Sequence, residues 1–266
     1  QAIRRHPLPG GRGRAARGFC PLPLALGFLI PAGQLAAWAL EVAGSVLDDA
    51  FWRLVGHSLG LAATAAVLAL LLALVLGYGR RLQPTRGVKA AVRIAGLGYA
   101  VPGTVIAVGV IIPFGWLDNR VDAWMRATFD LSTGLLLSGT LAALLFAYLV
   151  RFLAVALQTV ESGLGKIRPA MDESARALGL SPGAVLGRAH LPMLRGSLFT
   201  ALLLVFVDVL KELPATLILR PFNFNTLAVR VYELAADERL ADAAPAALAI
   251  VLAGLAVGYS VGGRLA

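Results

Sequence analysis

Uncharged, mostly apolar runs recur along the chain at 18–40, 58–79, 94–117, 131–150 and 243–263. A sixth run, 196–219, is interrupted only by Asp208, Lys211 and Glu212. A bilayer core is crossed by about 20 apolar residues in a helix. The pattern therefore predicts six membrane-spanning helices, at approximately 21–43, 57–79, 94–115, 131–155, 196–219 and 243–263. Inside lipid only helices and closed barrels satisfy their backbone groups, and these runs are too long and continuous for barrel strands. The expected fold is all-α and integral to the membrane, with residues 21–266 forming one bundle behind a basic segment at 1–20.

Small residues punctuate these runs, as in LGLAATAAVLALLLALVLG and AALAIVLAGLAVGYSVGG. They let helix backbones approach closely where lipid supplies no hydrophobic drive. Pro102 and Pro113 fall inside the third predicted span, where each would free a carbonyl and bend the helix. Gly96-x-Gly98 lacks the third glycine of a nucleotide-binding loop and sits within a span, so it reads as a packing feature. No internal repeat is visible. The opening at Gln1, with the Pro, Gly and Arg-rich stretch RRHPLPGGRGRAARG, reads as a linker within a longer protein.

Composition agrees with this reading: 58% of the 266 residues are hydrophobic and 15% charged, against about a quarter charged in a soluble domain. The net charge of +9 could serve nucleic acid, but the basic residues alternate with the spans. Arg4, Arg5, Arg12, Arg14 and Arg17 precede the first span, Arg80, Arg81, Arg86, Lys89 and Arg93 follow the second, and Lys166, Arg168, Arg176, Arg188 and Arg195 follow the fourth. The intervening connections are acid-balanced, with Arg53 beside Asp48 and Asp49, and Arg120 and Arg126 among Asp118, Asp122 and Asp130. Lys and Arg near spans are retained on the cytoplasmic side. The expectation is a membrane protein with both ends cytoplasmic, in contact with lipid and not with nucleic acid. The fifth connection, mixing Arg220, Arg230 and Arg239 with Glu233, Asp237, Glu238 and Asp242, fits less well.

Cys20 is the single cysteine, which excludes an internal disulfide. His6, His57 and His190 are not spaced for metal ligation, and His6 and His190 read as solvated cytoplasmic residues with His57 interfacial. No catalytic constellation and no Walker-type Gly-x-x-x-x-Gly-Lys-Ser/Thr run is present, so neither enzymatic chemistry nor ATP binding is expected of this chain. A proton-coupled carrier would need acids on several spans, and these are lacking.

The loop at 158–195 is the most informative segment, reading ESGLGKIRPAMDESARALGLSPGAVLGRAHLPMLRG within it. Pro169 opens a helix over 171–180, with Asp172 and Glu173 in its first turn near the positive helix end. Gly179 can supply a left-handed cap, and Ser181-Pro182 starts a second short helix over 183–190, stopped by Pro192. Two helices at a tight turn make a knob too elaborate for a tether.

Here the chain resembles the inner-membrane permeases of binding-protein-dependent ABC importers, whose cytoplasmic loop reads Glu-Ala-Ala, three residues, Gly, nine residues, Ile, one residue, Leu-Pro. The matching positions are Glu173-Ser174-Ala175, Gly179, Ala189 and Leu191-Pro192, with Ser174 and Ala189 departing from the pattern. The resemblance implies a type I importer fold whose helix-turn-helix docks on a separate ATP-binding subunit dimer that carries ATP and Mg. It further implies a periplasmic or surface binding protein that delivers cargo, and a second permease half, in the same chain or a second copy. The segment VDVLKELPATLILRPFNFNTLAVRVYELAADERLADAAPAAL is similar to the ferric iron permeases, specifically to the second six-span half. Molybdate, sulfate, thiamine and polyamine permeases share variants of its Glu-Leu-Pro-Ala-Thr region.

Asp208, Lys211 and Glu212 stand at i, i+3 and i+4, which places them on one face of a continuous helix. From an entry at Ser197, Asp208 lies roughly 17 Å deep. Charges at that depth face a cavity or one another, so they mark a pathway or gate, with Pro214 as a hinge, or else a self-compensating pair that locks packing. Asn223 and Asn225 read as turn residues of the outer mouth.

Overall fold

The computed structural model describes residues 10–262. Arg4, Arg5 and His6 therefore lie outside the described residues, as does the end of the last predicted span. Thirteen α-helices, three short π or 3₁₀ turns and no strand occur among the described residues. The α-helices are α1 (Gly11–Phe19), α2 (Leu22–Leu24), α3 (Ile30–Val46), α4 (Asp49–Leu82), α5 (Arg86–Ala95), α6 (Gly103–Phe129), α7 (Leu141–Gly165), α8 (Pro169–Ala177), α9 (Pro182–Val185), α10 (Leu191–Leu210), α11 (Pro214–Leu219), α12 (Leu227–Ala236) and α13 (Leu240–Gly262). Six continuous helical segments are long and apolar enough to cross a membrane: Gly13–Val46, Asp49–Leu82, Gly103–Phe129, Leu141–Gly165, Pro182–Leu210 and Leu240–Tyr259. The protein is an all-helical, multi-pass membrane protein.

α4, α7 and α10 pack against one another and form the core. α13 leans on α10 and carries α3 and α12, while α6 and α11 pack together beside α7. The stripe Ala62, Ala65, Ala66, Ala69 and Ala73 on α4 is buried with Ala143, Ala147 and Ala156 of α7 and Ala201 of α10. Such side chains add little bulk, so backbones come close and dispersion contacts accumulate where no hydrophobic drive exists. At Gly163 of α7 an added Cβ would fall 2.7 Å from Ser197 Oγ and 2.8 Å from Leu194. That glycine sets the close approach of α7 to α10. Leu71 and Val75 of α4 and Ile112 of α6 are exposed, giving the bundle an apolar exterior suited to lipid or a partner helix.

Several elements depart from the sequence expectation. Residues 11–19 of the basic segment are helical, forming α1. The third long helix starts at Gly103, not 94: residues 86–95 form a separate helix, Gly98–Ala100 a short 3₁₀ turn, and Pro102 is the N-cap of α6 instead of a kink. Only Pro113 lies inside α6. A proline is tolerated before the first helical turn because no intrahelical N–H is required there.

The fourth helix starts at Leu141, ten residues later than the apolar pattern suggests. Residues 131–140 form a loop held by two acids of α6. Asp118, 1% exposed, accepts backbone N–H bonds from Leu136, Leu137 and Ser138 at 3.2, 3.0 and 2.8 Å. Asp122 accepts from Thr133 N and Gly134 N at 2.8 and 3.1 Å. Gly134 and Gly139 adopt positive φ of 62° and 70°, which a helix does not allow. Carboxylates replace the helical carbonyls as acceptors, and the apolar triplet at 135–137 is carried on a loop.

Candidate functional site

The knob expected after the fourth span is present. α8 begins at Pro169 in its first turn and ends in a left-handed turn, with Gly179 at φ 79°. Leu180 N donates to Ala175 O at 3.1 Å and Gly179 N to Arg176 O at 2.9 Å, the paired bonds that close a helix C-terminus. Ser181 Oγ then caps α9 by accepting from Ala184 N at 3.3 Å. The tip is bare: Gly179 is exposed with open space around its Cα, and Leu178 is 83% exposed. Glu173, Ser174 and Pro192 are exposed, while Ala175 and Leu191 are half-buried.

Two features of this loop differ from the sequence reading. Pro192 does not stop the second helix. A π-helical turn at Leu186–His190 leads directly into α10, with Pro192 in the first turn of that helix. The wider turn absorbs the donor that proline lacks. The knob therefore continues without a joint into the fifth long helix. His190 is not solvated: it is 1% exposed, and its Nε2 lies 2.7 Å from Asp172 Oδ1.

Asp172 also accepts from Arg81 Nε at 2.7 Å. Arg81, in the last turn of α4, donates from Nη1 to Leu164 O at 2.7 Å and from Nη2 to Ile167 O at 2.9 Å. Burial disfavours the Asp172 carboxylate, but the bonds from Arg81 and His190 outweigh it and hold its carboxyl below the ordinary value of 3.8. Tyr78, one turn earlier on α4, donates its hydroxyl to Pro182 O at 2.7 Å and lays its ring edge-on to His190, centroids 5.5 Å apart.

The second candidate region is the break between α10 and α11. Asp208, Lys211 and Glu212 do not share a face, because α10 ends at Leu210. Asp208 Oδ1 pairs with Lys211 Nζ at 2.9 Å, and that lysine side chain is 63% exposed. Glu212 turns inward, 6% exposed; its Oε1 accepts from Ala215 N at 2.9 Å, and its Oε2 lies 3.8 Å from Arg151 Nε of α7. Pro214 opens α11 just beyond. Arg151 Nε and Nη1 are buried without a hydrogen-bond partner among the described residues. Gly103, at the start of α6, closes over the pair: an added Cβ would meet Arg151 Nη1 at 2.4 Å and Glu212 Oε1 at 2.7 Å. Below them Tyr148 and Thr216 share a 2.6 Å hydrogen bond, and Thr216 Oγ1 donates to Glu212 O at 2.7 Å.

Sequence reasoning missed Arg151, Arg81 and His190. Arg151 was available as the first charge after an uncharged run, at the depth of Glu212 on another helix; nothing in the sequence pairs Arg81 with Asp172. Asp208 faces a cleft of about 320 Å³ with Tyr99, Gln158 and Thr159. Gln158 and Thr159 also line a groove of about 660 Å³ between α7 and α10, with Ser162, Ser197 and Thr200. A strip of hydroxyl and amide groups thus runs from Asp208 toward the knob. At the opposite end, Asn223 holds φ 61° in a turn, and Asn225 Oδ1 accepts from Arg220.

The same arrangement of helices occurs in a bacterial ABC transporter involved in the import of the acidic polysaccharide alginate, with TM-score 0.74, 15% identity, and 94% of both chains covered. It occurs again in the alginate transporter in complex with an alginate pentasaccharide-bound periplasmic protein, with TM-score 0.70 and 16% identity over 93% of this chain. This is the fold of an ABC importer permease. In sequence the chain is 29% identical over 160 residues to the Fe(3+)-transport system permease protein FbpB 2 of Haemophilus influenzae, a match covering 60% of this chain and 28% of that protein. It is 28% identical over 262 residues to a 2-aminoethylphosphonate transport system permease protein, PhnV, of Salmonella choleraesuis, covering 92% of each. A ferric transport system permease protein, FbpB, of Actinobacillus pleuropneumoniae is 27% identical over 200 residues, 25% of its length. The chain thus spans about a quarter of the ferric relatives it matches and most of the phosphonate one. No family model matches the chain.

Proposed function

We propose that this permease forms one half of the membrane path of an ATP-driven importer in a bacterial inner membrane, with its knob on the cytoplasmic side and both ends of the segment facing the cytoplasm. Cargo arrives from an external binding protein. ATP and Mg are bound by a separate ATPase dimer, and a second permease half completes the path. The observation that carries this reading is the knob: α8 and α9, with bare Leu178 and left-handed Gly179 at the tip, running without a joint into α10. Glu173, Ser174, Ala175, Leu191 and Pro192 flank that tip as its contact surface. Closure of the ATPase pushes this surface, and a short rigid unit passes the push to the core helix.

Asp208, Lys211, Glu212 and Pro214 form the gate region. The break at 211–213 is the place where the fifth span can flex, and the Arg151 pairing with Glu212 holds it shut against α7. The cargo is ferric iron, supported by the FbpB relatives and by the likeness of the Glu-Leu-Pro-Ala-Thr region. Organophosphonate is the second reading, favoured by a relative that matches nearly end to end.

The test is reconstitution of the full-length parent with its candidate ATPase and binding protein, and ATP-driven uptake of radiolabelled ferric iron and of radiolabelled 2-aminoethylphosphonate in parallel, alongside Gly179→Leu. A bulky side chain at positive φ on the tip is expected to abolish uptake while leaving the bundle folded. Phosphonate uptake without iron uptake would replace the cargo. Absence of any association with an ATPase would remove the importer reading.

A further inference from the structure

The knob is proposed above as a contact surface, but its base contains a charged network that contact with a partner does not require. Asp172 is 13% exposed at its side chain and Arg81 15%, and His190 is almost fully enclosed. Three segments that are distant in sequence meet on one carboxylate: the end of α4 through Arg81, the first helix of the knob through Asp172 itself, and the turn into α10 through His190. The same guanidinium reaches two carbonyls at the end of α7, Leu164 O and Ile167 O. Tyr78 adds a second tie from α4, to Pro182 O at the start of α9.

We infer that Arg81, Asp172 and His190 act as a positioning clamp, locking the knob to the ends of α4, α7 and α10 so that a push on its tip moves three core helices as one body. This rests on the reading of the knob as the ATPase contact. The geometry favours a clamp over a local staple for three reasons. Asp172 uses each of its two oxygens toward a different element, so neither helix of the knob can tilt without breaking a charge-assisted bond. Arginine presents a planar fork whose separate nitrogens hold a carboxylate and two carbonyls at once, where a lysine ammonium offers only one compact point of charge. The α4 helix is also long: its 34 residues reach about 51 Å at the standard rise, against an apolar core of about 30 Å. That excess carries Tyr78 and Arg81 to the knob.

The test uses spin labels at Gln83, beyond the end of α4, and at Ala177 on α8, in the full-length protein with all its native cysteines replaced, Cys20→Ser among them, measured alone and in complex with its ATPase with and without ATP. Both label sites are exposed. The unaltered clamp is expected to give one narrow distance distribution that stays put when nucleotide is added. Asp172→Ala and Arg81→Ala are expected to lose the single narrow peak and to let the distance change with nucleotide, while the ATPase still binds. Asp172→Asn, which keeps a neutral acceptor, should fall between them and serves where the alanine variants do not fold; Arg81→Lys should not restore the narrow peak. Distances in Asp172→Asn and Arg81→Lys that match the unaltered protein in both nucleotide states would overturn the clamp. If no ATPase binds the unaltered protein, the importer reading fails, and the distances of the permease alone still decide whether these side chains fix the knob.

Discussion

Gly98 offers a sharp test of how the bundle is assembled. In the 3₁₀ turn before α6, a Cβ at this position would lie 1.7 Å from Val150 O and 2.8 Å from its carbonyl carbon, both backbone atoms of α7. Real Cβ contacts do not fall below 3.0 Å, so Gly98→Ala requires the turn and α7 to part by over 1 Å. No rotamer change can relieve the overlap, because neither side of it is a flexible side chain. Overpacking in a close-packed region costs about 1–3 kcal/mol, and the rigid contact places Gly98→Ala at the upper end of that range. Gly96→Ala is the control: its nearest neighbour would be Arg93 O at 3.4 Å, and its backbone is right-handed at φ −79°. That substitution should stay within about 0.5 kcal/mol. The assay is unfolding in detergent by SDS titration, followed by tryptophan fluorescence. The same displacement should move Tyr99 away from the Asp208 cleft it lines, read as faster labelling of a cysteine placed there. Equal stability of the two alanine variants would refute the claim that this turn lies directly on the α7 backbone.

Glu212→Ala removes the counter-charge of Arg151 and the acceptor of Ala215 N together, and should cost about 3 kcal/mol as a broken, largely buried pair; Glu212→Gln should cost less, and SDS unfolding separates them. Asp118→Asn leaves one of three backbone donors in the 136–138 turn poorly matched, for an expected loss of about 1–3 kcal/mol and faster protease cleavage within 131–140. The Asp172 carboxyl titrates below 3.8, so its contribution is present above that value and lost as pH falls through its lowered folded value. The fraction of that clamp signal owed to the carboxylate should therefore stay flat across the neutral range and disappear only in strong acid, as read by the label distances.

Much of the fold was legible because lipid imposes a crude rule. Apolar length located six long helices, five from uncharged runs and one from a run interrupted by Asp208, Lys211 and Glu212, and the small residues of the second run marked α4 as a helix that others approach closely. Where length misled, a local competitor won: at 131–140 the carboxylates of Asp118 and Asp122 captured backbone donors that a helix would have used, and at 94–102 a proline and a glycine placed a turn where apolarity suggested continuity. The knob was readable from Pro169, Gly179 and Ser181, since capping depends on neighbouring residues.

The charges inside the bundle were not readable in the same way. Asp208 and Glu212 look equivalent by helical spacing, but the helix ends between them, so one pairs outward with Lys211 and the other turns in toward Arg151. The sequence determined which segments are helical and apolar, because those are short-range properties of composition and order. Only the tertiary structure decided that Arg81, Asp172 and His190 meet, and that Gly103 closes on Arg151 and Glu212, because electrostatic pairing over a few ångströms depends on which distant segments the packed helices bring together.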